Sequence, residues 1–239
     1  VSLCPRDMAR SVGKIRCHLA IHAALFGLFP ILVAGTHFFF DRIADGQISL
    51  GLYALAALPA TVSSCVVFTT LAYGSSGVAL FNAVASNLLG LIVSPLLFVL
   101  FLRAGEVSIV LDKAAIITKI GVLVVAPFVF GQVLPQRGRT WFRRRPQMCR
   151  TVNIAAILAI VYFSFCHLFL RSGAELEARH VVFLCLYLAL LNLAVLGILK
   201  AACGLLRLSS PDRIAVMFTG SQKTLAMGMP LVIAFAESD

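Results

Sequence analysis

The apolar positions along this chain fall into about seven long runs, separated by short polar links. A helix that crosses a lipid bilayer needs about 20 mostly apolar residues, so each run predicts a membrane-spanning helix. The chain is therefore predicted to be an all-α polytopic membrane protein with one transmembrane domain over residues 1–239. The expected spans are 17–40, 48–73, 78–102, 114–134, 152–170, 181–206 and 214–236.

Polar residues interrupt two of these runs, 48–73 and 214–236. In the first, Pro59 removes a backbone hydrogen bond and pushes the preceding residue out of helical geometry. Inside a bilayer such a break persists only where it faces a cavity lined by protein. Two broken segments in corresponding places of two halves indicate the substrate site of a secondary transporter. The polar residues expected at this site are Thr61, Ser63 and Ser64 in the first break and Ser221, Gln222, Lys223 and Thr224 in the second.

The run 78–102 carries three more polar residues. Asn82 and Ser86 are four residues apart and share a helix face, and Asn87 lies only about 100° round from Ser86. Such groups either hold transmembrane helices together or bind a ligand. Their closeness in sequence to the broken run favours the ligand role, so we add all three to the predicted site.

Lys223 is a cation in the interior of an apolar run. A lysine at the centre of a spanning helix costs about 2.5 to 3.5 kcal/mol on insertion scales, so its ammonium group must be paired, hydrated or directed into a cavity. It could neutralise an anionic substrate, or it could occupy the place where another transporter holds a metal cation. A third interpretation is that the side chain snorkels to the membrane interface.

The composition supports a membrane protein, because 60% of the residues are hydrophobic and only 13% are charged. The net charge of +10 would suggest a nucleic-acid partner in a soluble protein. Here the basic residues lie beside the apolar runs and concentrate on the links of one side, which include the loop 135–150 with Trp141. By the positive-inside rule this side is cytoplasmic. We therefore expect the bilayer and a small-molecule solute as partners, no nucleic acid, a cytoplasmic start of the chain and a plasma-membrane location.

The chain shows no pattern of an enzyme or of a metal site. Its seven cysteines form no CxxC pair and lie mostly in apolar runs, where cysteine behaves as a small hydrophobic residue. Paired carboxylates, HExxH and GxSxG are absent from the sequence. We expect free thiols, no metal, no cofactor and no enzymatic activity.

Three stretches resemble the bile acid:sodium symporter superfamily, and most closely its SBF-like branch, which includes the sodium/bile acid cotransporter 7 proteins. They are LPATVSSCVVFTT (58–70), GVALFNAVASNLLGLIVSPLL (77–97) and DRIAVMFTGSQKTLAMGMPL (212–231). The resemblance implies a ten-helix inverted-repeat fold whose fourth and ninth helices are discontinuous and cross near the membrane centre. By this comparison the chain starts just before the third helix and stops within the ninth, so we expect it to be truncated at both ends.

The resemblance also implies roles for individual residues. Ser63 and Ser64 match sodium ligands of the fourth helix, Asn82, Ser86 and Asn87 lie near those of the fifth, and Gln222 matches a glutamine of the ninth. The family's glutamate has no counterpart, since its place falls near Phe218 or Thr219, and Lys223 follows the glutamine. A hard cation prefers oxygen ligands with negative charge, so the sequence argues against sodium coupling.

The predicted function is secondary transport of a small organic, anionic solute by alternating access. Two alternatives stay open at this point. The SBF-like resemblance also suggests a regulator of cellular calcium that carries no bile acid, and seven apolar runs are also the number found in seven-span receptors.

Overall fold

The structure is a computed structural model that describes residues 11–40, 46–104, 145–171 and 178–224. These residues fall into two compact units. The first unit comprises the described residues up to 104 together with 183–224, and the second comprises 145–171 and 178–182. Every residue discussed below as part of a site belongs to the first unit.

The described residues are helical apart from turns and short extended segments. In chain order the helices are α1 (Ile15–Ala23), α2 (Phe29–Phe40), α3 (Gly46–Ala57), α4 (Val62–Leu71), α5 (Ser76–Ala104), α6 (Pro146–Arg171), α7 (Ala178–Leu205) and α8 (Ser210–Ser221). A π-helical turn, Ala24–Leu28, joins α1 to α2 without a loop. No strand occurs in these segments, where one isolated antiparallel pair joins two extended residues. The all-α prediction is thereby confirmed for this part of the chain.

Three segments within the described ranges are long and apolar enough to cross a membrane: Ile15–Thr36, Ser76–Phe98 and Val181–Leu205. Their outer faces are apolar as well, since Ile92 and Leu193 remain 75% and 64% exposed. Lipid solvates such side chains without cost, because the bilayer core is as apolar as they are. The predicted span 114–134 and the part of 214–236 beyond residue 224 lie outside the described residues.

The core of the first unit forms around α8, which packs against α1, α4 and α5. Ile21, Val78 and Val216, one from each of three of these helices, are fully buried. Gly220 allows α7 to approach α8, because a Cβ atom at this position would lie 3.0 Å from Leu199 Cδ1. The last turn of α8 is therefore held inside the unit, where it can meet the end of α3.

Polar contacts fix the first turn of α8 in place. Asp212 accepts a hydrogen bond from Lys14 Nζ at 2.5 Å and one from Ser209 Oγ at 2.8 Å. The backbone N–H of Ser75, in the turn between α4 and α5, donates to Pro211 O at 2.9 Å. Because Asp212 is itself buried, its pairing with Lys14 satisfies a charge that could not otherwise stay inside.

Candidate functional site

The extended segment between α3 and α4, which we call the first break (Leu58–Thr61), lies against the extended residues that follow α8, which we call the second break (Gln222–Thr224). The two breaks run antiparallel. The N–H of Thr61 donates to Gln222 O at 3.4 Å, and the N–H of Thr224 donates to Pro59 O at 3.0 Å. Two points that the sequence marked independently as interruptions are therefore in direct backbone contact.

The first break exists because Pro59 has no N–H and cannot continue the ladder of α3. The last carbonyl groups of a helix have no partner within the helix, and a buried one must find a partner elsewhere. Three side chains of α5 provide part of this compensation. Ser94 Oγ donates to Ala57 O at 2.6 Å. Ala60 uses both of its backbone groups, since its N–H donates to Ser86 Oγ at 3.3 Å and its carbonyl accepts from Asn87 Nδ2 at 2.8 Å.

Close packing brings α5 to the break. Pro59 is fully buried, and Gly90 of α5 faces its ring. A Cβ atom at Gly90 would lie 3.0 Å from Pro59 Cγ, so the absence of a side chain there lets the two backbones approach.

Lys223 binds carbonyl groups at the end of α3 and at the start of the first break. Its Nζ donates to Ala56 O at 3.0 Å and to Leu58 O at 2.8 Å. A third bond, at 2.7 Å, goes to Leu25 O in the π-helical turn. The ammonium also lies 4.4 Å from the centre of the Phe29 ring, within the range of a cation–π contact.

The carbonyl of Leu25 is available because of a second proline. In the π-helical turn the N–H of Phe29 donates to Ala24 O, five residues back, instead of to Leu25 O. The same five-residue pattern would assign Leu25 O to residue 30, which is Pro30 and has no N–H. Two prolines far apart in sequence therefore leave carbonyl groups without backbone partners, and one lysine binds three of them.

The first turn of α4 holds a small cluster of hydroxyl groups. Thr61 is the N-cap residue, but its side chain makes no capping bond. Its Oγ1 accepts a hydrogen bond from Ser64 Oγ at 2.9 Å. Ser63 is exposed. On the inner face, Cys65 Sγ lies 3.7 Å from Gln222 Oε1, which links α4 to the second break.

Asn82 has a different position from the other polar residues of α5. Its Nδ2 donates to Val78 O at 2.8 Å, and its Oδ1 lies 2.9 Å from His18 Nδ1 on α1. The structure thus brings Ser86 and Asn87 to the first break, whereas Asn82 pairs with α1 one turn away.

Ser221, just before the second break, and Thr224, its last residue, are both buried, and the backbone N–H of Thr224 donates to Pro59 O. Sequence reasoning did not assign two nearby groups to the site. Thr219 is fully buried in α8, and its Oγ1 has no hydrogen-bond partner among the described residues. Ser94 was also missed, although it lies eight residues after Ser86 on the same face of α5, and this spacing was a usable signal.

Replacement of Ser94 by alanine should lower the thermal stability of the purified protein. The hydroxyl is the donor to Ala57 O, and removal of a donor from a buried acceptor costs about 1–3 kcal/mol. Thr70→Val is the matched control, because the Thr70 hydroxyl donates to Val66 O within its own helix and its loss should change the melting temperature little. Equal melting temperatures for the two variants would contradict the role given to Ser94.

Comparison with known proteins identifies the family. The model of the SBF-like CPA transporter family matches residues 1–239. The chain belongs to this family. Among its relatives, an uncharacterized protein of Pseudomonas aeruginosa is 35% identical over 93% of this chain and 67% of its own length. The mouse sodium/bile acid cotransporter 7 is 26% identical over 99% of this chain and 70% of its own length. The zebrafish protein of the same name is 29% identical over 97% of this chain and 69% of its own length.

Membership of the SBF-like family confirms the resemblance found in the sequence. The chain is an integral membrane protein with a transporter-like role, and its family and relatives are transporters, not enzymes. Because this is a family of transporters, the alternative of a seven-span receptor is not retained.

Proposed function

We propose that this SBF-like protein is a secondary transporter that moves a small organic anion by alternating access, and that its two breaks belong to two discontinuous helices of an inverted-repeat fold. The observation that carries the proposal is the pairing of the first break with the second. Maintaining extended backbone inside an apolar protein requires a partner for each freed group, and the side chains of α5 and Lys223 provide these partners. Interrupted backbone of this kind is costly and is typically retained at functional sites, which favours a role for the break in binding.

The start of α4 supports an anionic solute. A helix N-terminus presents backbone N–H groups and the positive end of the helix dipole. Thr61 does not cap this terminus with its side chain, and the exposed Ser63 offers a hydroxyl donor beside it. Asp212 is the one carboxylate in the described ranges, and Lys14 neutralises it. Negative charge on a solute would therefore meet donors at the first break.

The environment of Lys223 supports transport without sodium. Its three N–H bonds all point to backbone carbonyls, so a positive charge already occupies the oxygen-lined region between the breaks. A sodium ion placed next to this ammonium would be repelled. We extend the proposal to a plasma-membrane location with the start of the chain in the cytoplasm, on the basis of the basic links alone.

The experiment is uptake by the full-length protein in proteoliposomes. A panel of labelled small organic anions, including a bile acid, is offered with a sodium gradient, a proton gradient and no gradient. We expect uptake of at least one anion that does not require sodium. Ser64→Ala should reduce it at least tenfold, because Ser64 Oγ holds the Thr61 side chain at the start of α4.

Thr70→Val is again the control, since its hydroxyl lies on the same helix but bonds only to Val66 O. Normal uptake by Ser64→Ala would overturn the site, and the absence of uptake for every anion would overturn transport. An absence of uptake would leave the alternative of a calcium regulator, because that role does not require the protein to transport an anion.

A further inference from the structure

We propose that the carbonyl groups of Leu25, Ala56 and Leu58, together with the Phe29 ring, form a binding site for a monovalent cation, and that the ammonium group of Lys223 fills it as a tethered ion. Wild-type protein would then carry its own cation at the breaks. A variant without the lysine would need one from solution, and would take ammonium or an alkali-metal ion.

The geometry is that of a bound ion and not of a single hydrogen bond. Lys223 Nζ has three donors, and its three acceptors lie at 2.7, 2.8 and 3.0 Å. The acceptors come from two separate segments, since Leu25 lies in the π-helical turn after α1, while Ala56 lies in the last turn of α3 and Leu58 directly follows that helix. Rings of backbone carbonyl oxygens are the ligands with which proteins replace the hydration shell of potassium.

The site has the electrostatics that a single positive charge requires. Ala56 and Leu58 lie at the C-terminal end of α3, where the helix dipole is negative. The Phe29 ring adds the attraction of its face for a cation at 4.4 Å. The described carboxylate, Asp212, is bound to Lys14, so neutral dipoles and one ring provide the stabilisation. That is suited to a monovalent ion, because a divalent ion dehydrates reluctantly without charged oxygen ligands.

Removal of the lysine would leave these carbonyl groups without a donor. Pro30 has no N–H to donate to Leu25 O. The N–H of Ala60, which would reach Ala56 O if α3 continued, donates to Ser86 Oγ instead. A cation from solution can restore the lost interactions and should therefore stabilise the variant. The presence of the site does not depend on which solute is carried. Only its consequence, transport without sodium, rests on the proposed function.

The test is the melting temperature of the purified full-length protein in detergent, measured at equal ionic strength in the chlorides of sodium, potassium, ammonium and choline. Choline is too large for the site and serves as the reference cation. Wild-type protein should melt at the same temperature in all four salts. Lys223→Ala should melt lower in choline and should gain about 5 °C at saturating ammonium or potassium, with a saturable dependence on concentration.

Two further variants separate this site from general salt effects. Lys200→Ala removes an exposed lysine of α7 and should show no preference among the salts. Lys223→Met keeps most of the side-chain volume without the charge, so it should melt lower than wild type in all four salts and show no cation selectivity. A selective gain by Lys223→Met equal to that of Lys223→Ala would overturn the proposal.

A melting temperature of Lys223→Ala that is the same in all four salts would also overturn it. If this variant can be purified as a monodisperse protein only in potassium or ammonium, the site is supported. If it cannot be purified in any of the salts, the site is rejected. Failure of the uptake experiment leaves these melting measurements unaffected, so the two proposals fail separately.

Discussion

Gly74→Val is expected to lower the melting temperature strongly and to reduce the yield of folded protein. Gly74 lies in the turn between α4 and α5, where its N–H donates to Thr69 O at 2.7 Å. A Cβ atom at this position would lie 2.6 Å from Ile214 Cγ2 and 2.9 Å from Ile214 Cβ. Ile214 Cβ is attached directly to the backbone of α8, so α8 itself would have to move.

The expected loss is about 1–3 kcal/mol for overpacking, and Gly74→Ala should cause a smaller loss in the same direction. The consequence reaches the site because α8 leads into the second break, and a shift of α8 would separate Gln222 from Thr61. Uptake by any Gly74 variant that still folds should therefore fall as well.

Gly197→Ala is the matched control for this prediction. Gly197 is an exposed glycine of α7, and a Cβ atom there would meet nothing within 4 Å. Alanine is favoured over glycine in a helix interior by about 0.8–1.0 kcal/mol, so this variant should melt at the wild-type temperature or above it. A Gly74→Ala protein as stable as Gly197→Ala would show that the turn and α8 are not in close contact.

Asn87→Leu is the second change with a large expected effect. Asn87 Nδ2 donates to Ala60 O at 2.8 Å and to Ala83 O at 2.7 Å. Ala60 is fully buried, and its carbonyl would lose its donor while leucine adds no polar group. Removal of one partner from a buried pair costs about 1–3 kcal/mol. The melting temperature should fall accordingly. Uptake should fall as well, because the first break would lose a hydrogen bond that fixes it to α5.

Asn192→Leu is the control, since Asn192 is an exposed asparagine of α7 and its replacement should have little effect. Asn87→Asp sharpens the comparison. Aspartate matches asparagine in size, but a carboxylate accepts hydrogen bonds and donates none. A carboxylate oxygen would therefore face the carbonyl oxygen of Ala60. If Asn87→Asp is as stable as wild type, the Nδ2 group does not support the first break.

These contacts change the interpretation of the polar residues in α5. Their sequence pattern left two roles open, helix packing or ligand binding. Ser86, Asn87 and Ser94 donate to or accept from the backbone at the first break. They therefore act first by stabilising extended backbone next to a solute site, and any contact with the solute would be additional to this role.

The sequence by itself determined the membrane character of this protein and the positions of its breaks, because both depend on local properties. Long apolar runs predict spanning helices wherever they occur, and Pro59 interrupts a helix by lacking an N–H group. The burial cost of an ammonium group also required that Lys223 have partners. Each of these inferences needs only the residue and its neighbours along the chain.

Only the tertiary structure decided which groups become those partners. Lys223 binds Leu25 O, which lies 198 residues earlier in the chain. This carbonyl is available because of a π-helical turn that no apolar pattern indicates. Asn82 and Asn87 look alike in sequence, yet one pairs with His18 of α1 and the other with Ala60 of the first break. Helical periodicity determines the face on which a residue lies, but the neighbour of that face depends on how distant helices pack, and this is a property of the whole fold.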